Sequence, residues 1–211
     1  MMNFKNTFYS HVFFLLLLVL CSARATAADT LLILGDSLSA GYRLPVEQSW
    51  PVLMAKQWQQ AGKKTVIVNG SISGNTASQG LERLPELLKR HNPKWVLIEL
   101  GANDGLRGFP IQNIEQALQQ SISLVKQAGA QPLLMQVRIS PNYGKRYTES
   151  FAKIYSKLSE SNQIPLLPFF MEPVAVKPEW MQDDGLHPNQ AAQPFIADWM
   201  ANKLSAYINH S

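Results

Sequence analysis

With 211 residues, 46% of them hydrophobic, the chain has the length of one ordinary domain that buries about 70% of its unfolded surface. Its net charge of +4 comes from 19 basic and 15 acidic residues without a basic block or interleaved aromatics, which excludes a nucleic-acid footprint. The single cysteine, Cys21, excludes an internal disulfide and a cysteine metal cluster.

Lys5 precedes an apolar run from Val12 to Leu20, and Ala25-Thr-Ala27 supplies an A-x-A site. A basic start, an apolar stretch too short to span a bilayer comfortably and a small-residue site describe a secretory signal, residues 1–27, cleaved after Ala27. Lipidation of Cys21 is the alternative, disfavoured by Leu20 before it and by the A-x-A site beyond it. Cleavage removes Lys5, Arg24 and the cysteine, leaving 17 basic residues against 15 acidic ones. The mature domain, residues 28–211, is expected in the periplasm or outside the cell, without stable insertion in a membrane.

Leu31 to Leu34 reads as a buried strand that stops at Gly35-Asp-Ser37. Ser49 to Ala61, with Pro51 near its start and Gly62 after its end, reads as a helix. Thr65 to Val68 is a second strand, and Thr76-Ala-Ser-Gln79 a capping box for a helix bearing Leu81, Leu84, Leu87 and Leu88, ended by Pro93. A third strand (Trp95 to Leu100) and a third helix (Ile111 to Ala128) precede a fourth strand (Pro132 to Ile139) and a helix from Lys145 to Ser161. Ile164 to Phe170 is the fifth strand. The four prolines between 165 and 178 predict an extended surface path after it, and a last helix runs from about Asn189 to Tyr207. Alternating strands and helices without repeats give a three-layer α/β/α domain with a mainly parallel five-stranded sheet.

Ser37 stands just past a strand's carboxyl end, where open parallel sheets hold their ligands. As a nucleophile it needs a base, because a free hydroxyl is almost never ionised near neutral pH. His11 belongs to the signal, His91 to a polar helix end, and His210 adjoins the carboxyl terminus. His187 has a chemical setting in Asp183-Asp-Gly-Leu-His-Pro188, where Gly185 allows a tight turn and Pro188 can start the last helix. Asp184 can accept the Nδ1 hydrogen, leave Nε2 for Ser37 and stabilise the imidazolium, with Asp183 competing for that place. The hexapeptide also suits a plain helix-start loop capped by aspartate. A metal site is the third option, disfavoured by the few histidines and the absence of cysteine in the mature chain.

Acyl transfer also needs donors aimed at a developing oxyanion. Gly74, in the loop after the second strand, can bring a backbone N–H close to a ligand, and the Asn103 amide, after the third strand, can donate a second bond. Ser37's own N–H completes three donors. Ser39 is read as a turn or capping hydroxyl, and Asp36 and Asp104 as loop-fixing acceptors. Leu106 and Phe109, in the Gly105–Pro110 stretch that follows Asn103, and Tyr143 after the fourth strand are candidates to contact an acyl chain. Phe170 and Met171 follow the fifth strand, and for Phe170 core packing is favoured.

Taken in order, Gly35-Asp-Ser-Leu-Ser39, Ser73-Gly-Asn-Thr76, Gly101-Ala-Asn-Asp104 and Asp184-Gly-Leu-His187 resemble the four blocks of the SGNH, or GDSL, hydrolases over the whole mature chain. The resemblance implies Ser37 as nucleophile, His187 as base, Asp184 as its orienter, and Ser37 N–H, Gly74 N–H and Asn103 as oxyanion donors. It also implies a flavodoxin-like strand order and acyl esters and thioesters as substrates, from lysophospholipids and acyl-CoA to aryl and amino-acid esters. No metal, cofactor, nucleic acid or protein partner is called for. Two rivals keep the same crevice: an acyltransferase with a sugar or glycerol acceptor, and a non-catalytic lipid-binding module. A nucleotide site is disfavoured, since Gly35 to Gly41 lacks a Walker lysine. N-terminal sequencing of the exported protein should read from Ala28; an acylated Cys21 would overturn the assignment of the signal.

Overall fold

The structure is a computed structural model that describes residues 29–208; the signal, its cleavage site, Cys21 and His210 lie outside the described residues. Leu31-Leu-Ile-Leu34 has no polar side chain on either face and must be covered from both. It forms the middle of β1 (Thr30–Gly35), with all four side chains fully buried. Beside it lie β2 (Val66–Asn69) and β3 (Trp95–Glu99), and beyond β3 come β4 (Gln131–Met135) and β5 (Leu166–Leu167). The pairings are all parallel in the order β2-β1-β3-β4-β5, the expected flavodoxin-like sheet. The direction of winding reverses at β1, which opens a crevice at the carboxyl ends of β1 and β3.

A short helix, α1 (Ser37–Ala40), follows β1 directly. On the sheet's flanks, α2 (Trp50–Gln60) packs against α8 (Gln193–Ser205), while α3 (Ala77–His91) packs against α5 (Ile111–Gln127) and α5 against α6 (Lys145–Asn162). The capping box on α3 is present: Thr76 Oγ1 accepts from Gln79 N at 3.2 Å while Gln79 Oε1 accepts from Thr76 N at 3.0 Å. Of the stripe predicted on α3, Leu84 and Leu88 are buried and Leu81 and Leu87 are half-buried against the core, while Ile114, Leu118, Ile122 and Val125 on α5 and Phe151, Ile154, Tyr155 and Leu158 on α6 are buried. Two further short helices, α4 (Ala102–Leu106) and α7 (Glu172–Ala175), follow β3 and β5.

From β4 onward the structure departs from the sequence reading in four places. β5 is two residues long because Pro165 and Pro168 bracket it and neither has an N–H for the ladder. β4 consequently stops at Met135, with Gln136 N still donating to Leu167 O at 2.8 Å, instead of running to Ile139. The prolines beyond do not produce an extended surface path: Pro173 sits in the first turn of α7, and Phe169, Phe170, Met171 and Val174 enter the core. Finally, Pro188 forms an isolated bridge with Met181, and Asn189 caps a 3₁₀ turn, Gln190–Ala192, that leads into α8.

Gly101 closes β3 with φ of +113°, and a Cβ there would lie 2.2 Å from Tyr155 Oη, whose hydroxyl donates to Leu100 O at 2.9 Å. Gly101→Ala is expected to destabilise the fold by about 2–4 kcal/mol, through backbone strain and a displaced buried hydrogen bond. A urea titration reads this as a lowered midpoint; an unchanged midpoint would show that Tyr155 and the turn give way without cost.

Candidate active site

β1 and β3 pair so that Gly35 lies beside Glu99. A Cβ on Gly35 would stand 2.7 Å from Glu99 Oε2 and 2.8 Å from Ser71 Oγ, so only glycine fits at this position. The chain then turns at Asp36, whose Oδ1 accepts from Leu38 N at 3.0 Å, and enters α1 with Ser37 at its first position. Ser37 N–H therefore has no carbonyl within the helix to bond. Three further contacts pin the turn: Ser39 Oγ donates to Glu99 Oε2 at 2.6 Å, Asn69 Nδ2 to Ser39 O at 2.9 Å and Trp50 Nε1 to Leu38 O at 3.1 Å. Ser39 is thus a buried donor to a carboxyl of the next strand, in place of the turn or capping role expected for it.

His187 arrives from the other end of the chain. Gly185, at φ of +66°, lets the loop from Gln182 to His187 fold tightly, and Asp184 Oδ1 accepts from Leu186 N at 2.9 Å and His187 N at 3.0 Å. Its Oδ2 lies 2.8 Å from His187 Nδ1, and His187 Nε2 lies 2.9 Å from Ser37 Oγ. A carboxylate only accepts, so Nδ1 carries the hydrogen and Nε2 is free to accept from the serine hydroxyl. Asp184, and not Asp183, is the partner. Desolvation pushes the Asp184 carboxyl up, but the hydrogen bonds from Leu186 N, the His187 ring and His187 N, with the imidazole's charge, bring it down to about 2.

The two remaining loops converge on the same crevice. Asn75 N bonds Ile72 O at 3.2 Å and places Gly74, with φ of +81°, in a turn whose third residue needs the left-handed region. Nothing stands within 4 Å of where its Cβ would be, so the requirement is the backbone angle alone. Asn103, on α4, donates from Nδ2 to Asp36 Oδ2 and to Asn75 O, both at 3.1 Å. Asp104 Oδ2 accepts from Ala77 N at 2.9 Å, so Asp36 and Asp104 fix loops as the sequence reading expects. Burial, with the nearby Asp104 charge, raises Asp36 to about 7 against the hydrogen bonds from Leu38 and Asn103. Burial and the charge of Asp36 likewise raise Glu99 well above the ordinary carboxylate range.

Several residues around the site escaped the sequence reading. The Tyr42 ring packs against the His187 ring at 4.4 Å, the Arg43 guanidinium lies 5.0 Å from the Tyr42 ring centre, and Gln182 Nε2 ties the histidine loop to Tyr42 O at 2.8 Å. Glu99 could have been found, as a lone carboxylate in Trp-Val-Leu-Ile-Glu. Among the acyl-chain candidates, Leu106 is half-buried, while Phe109 and Tyr143 are 38% and 41% exposed. Tyr147 Oη donates to Phe109 O at 2.7 Å, and Tyr147, Tyr143 and Ile111 line one open cleft. Phe170 and Met171 are core residues, and Gly105 packs against Ile139 and Phe151.

The profile of the GDSL-like lipase/acylhydrolase family matches residues 33–193. Thioesterase 1/protease 1/lysophospholipase L1 of Escherichia coli K12 is 61% identical over 210 residues, spanning 100% of this chain and 99% of the relative. An arylesterase of Vibrio mimicus is 54% identical over 194 residues, 92% of this chain and 97% of its own. Among solved structures, the psychrotrophic esterase EstA from Pseudoalteromonas, inhibited by monoethylphosphonate, superposes with a TM-score of 0.84 at 42% identity, covering 85% of this chain and 98% of the other. The chain belongs to the GDSL-like lipase/acylhydrolase family and is a serine hydrolase of the esterase kind.

Proposed function

We propose that the protein is an exported acyl hydrolase that works through a covalent Ser37 acyl-enzyme. The observation that carries this is the unbroken line from Ser37 Oγ through both nitrogens of His187 to Asp184, at 2.9 and 2.8 Å. Ser37 Oγ attacks the acyl carbon as its proton passes to Nε2, and the bond to the alcohol or thiol breaks as that proton is returned to the leaving group. Water then repeats the sequence, with His187 again as base, and frees the acid. Asp184 stays ionised throughout, at about 2, and holds the imidazolium.

Ser37 N–H, Gly74 N–H and Asn103 Nδ2 are the donors to the oxyanion. In the free site both Asn103 hydrogens are engaged, so one is shared with the oxyanion when it forms. Leu106, Phe109 and Tyr143 take the acyl chain, a reading supported by the exposure of Phe109 and Tyr143 and by the open cleft that Tyr143 lines. Lysophospholipids, thioesters, aryl esters and amino-acid esters all present the required carbonyl. Residues 1–27, read as an export signal, favour envelope lipids and esters over cytosolic acyl-CoA as the natural supply. Among the described residues no helix is long and apolar enough to cross a membrane.

The deciding experiment compares kcat/KM on a lysophospholipid, a long-chain acyl thioester and a short aryl ester, with Ser37→Ala as the blank. The expected outcome is turnover of all three, strongest for the long chains, and none in the blank; turnover in the blank would remove Ser37 as nucleophile. Asn103→Ala should lower kcat about 10²–10³-fold, and a loss below about threefold would make the amide merely structural.

Activity and stability should respond to pH in opposite senses. A general-base mechanism needs a neutral imidazole, so kcat/KM falls on acidification. Asp36, raised to about 7, and Glu99, also raised, bind more protons folded than unfolded, so stability grows as pH falls from about 8 toward about 5. Asp184 has the opposite sign: its contribution is lost only below the unfolded carboxylate value of about 4, as pH falls toward about 2. Melting temperature and kcat/KM measured over the same buffers check this; a melting temperature that falls with activity would mean that the buried pair ionises freely.

A further inference from the structure

Arg83 lies two turns into α3, yet its side chain folds back over the loops that precede the helix. Its Nε donates to Asn75 Oδ1 at 2.7 Å, its Nη2 to Gly35 O at 3.3 Å and its Nη1 to Gly70 O. Among the described residues it forms no ion pair with a carboxylate. It is half-buried, and desolvation lowers its pKa from the ordinary arginine value. A guanidinium held out of water without an anion is unfavourable, and its planar fork is the compensating feature, since it can serve three fixed acceptors at once.

Those acceptors stand where the oxyanion donors are mounted. Gly35 is two residues before Ser37. Gly70 and Asn75 bracket the loop that holds Gly74, and the Asn75 carbonyl accepts from Asn103 Nδ2 at 3.1 Å. The loop's own backbone bonds are sparse and long, Ile72 N to Gly35 O and Asn75 N to Ile72 O, each 3.2 Å. Neither fixes the separation of its two ends.

We propose that Arg83 is a positioning residue for the oxyanion hole, its fork setting the spacing of the Ser37, Gly74 and Asn103 donors; this rests on the acyl-hydrolase reading above. Arg83 touches no reacting atom. It acts through Asn75, Gly70 and Gly35. Lysine in its place keeps the charge and most of the length but is a point donor without the fork, so it cannot hold all three acceptors.

The test uses Arg83→Lys, Arg83→Gln and Arg83→Ala with an aryl ester. Competent sites are counted with a fluorophosphonate that labels the nucleophile, so that an unfolded fraction does not depress kcat. Wild-type labelling and a dead Ser37→Ala come first; their failure overturns the acyl-hydrolase reading, and this role with it. Given that reading, kcat per labelled site should fall about 10–100-fold in all three variants, less than for outright deletion of a donor, with KM within about threefold. Guanidinium ion at tens of millimolar should restore part of kcat to Arg83→Ala where sodium chloride does not. Wild-type kcat per site in Arg83→Lys and Arg83→Gln, whatever their melting temperatures, would overturn the proposal, as would a loss confined to KM or a loss that guanidinium leaves untouched. If the glutamine and alanine variants do not fold, kcat per site in Arg83→Lys decides alone.

Discussion

The missing side chain at Gly35 is the constraint on which the site depends. β1 and β3 run side by side with Gly35 opposite Glu99, and the space that a Cβ would occupy is filled by Glu99 Oε2 and Ser71 Oγ. The close approach lets Ser39 Oγ reach the Glu99 carboxyl at 2.6 Å, which fastens the turn carrying Ser37 to the neighbouring strand instead of to its own. A larger residue would push the first loop away from the third, and Asn103, bonded to Asp36 across that gap, would move with it. The positions of Ser37 and Asn103 are therefore set by one contact between two buried strands.

Around that contact the sheet order does the assembly. Reversal of winding at β1 leaves the loops after β1, β2 and β3 next to one another, so residues near 37, 74 and 103 meet without any long excursion of the chain. His187 is different. It lies 150 residues beyond Ser37 and is held on a loop with little regular structure, so its orientation comes from Asp184 taking two backbone N–H groups and one ring nitrogen, and from the Tyr42 ring against it. The three sheet loops supply a rigid frame, and the histidine is fitted to it by side chains.

This division explains what the sequence made legible. Buried strands and amphipathic helices announce themselves through period, and the loop residues with chemical reasons to be glycine, serine, asparagine or histidine stand out against them: Ser37, Gly74, Asn103, Asp184 and His187 are all brought to one crevice. Length of pairing was not legible in β4 and β5, because a strand's extent depends on its partner, and Pro165 and Pro168 limited both. The path after β5 differs from the expected one because a proline in the first turn of a helix is as comfortable as one in an extended chain. Arg83, Tyr42 and Gln182 could not be singled out. On a helix surface an arginine flanked by Glu82 and followed three residues later by Glu86 reads as a solvated face, and only the three-dimensional return of its side chain over the loops gives it partners.

The site also keeps its carboxyl groups in opposed states, and the environments explain how. Asp184 is partly open to solvent and receives three hydrogen bonds, two from backbone and one from the imidazole, so its charged form is favoured and its pKa sits at about 2. Asp36 and Glu99 lie beneath Ser37, away from water and beside each other, where two charges would repel in a medium that screens them poorly. The buried pair therefore tends to retain protons in the range where Asp184 is fully ionised. One consequence is electrostatic: the oxyanion of the proposed mechanism would meet less negative charge from below than a count of carboxylates would suggest. The other is mechanical, since a carboxyl that keeps its proton can hold the Ser39 and Asn103 hydrogen bonds without paying the full desolvation of an ion. On the proposed mechanism, acid–base chemistry is thereby confined to the His187 side of the crevice, and the strand side is left to fix geometry.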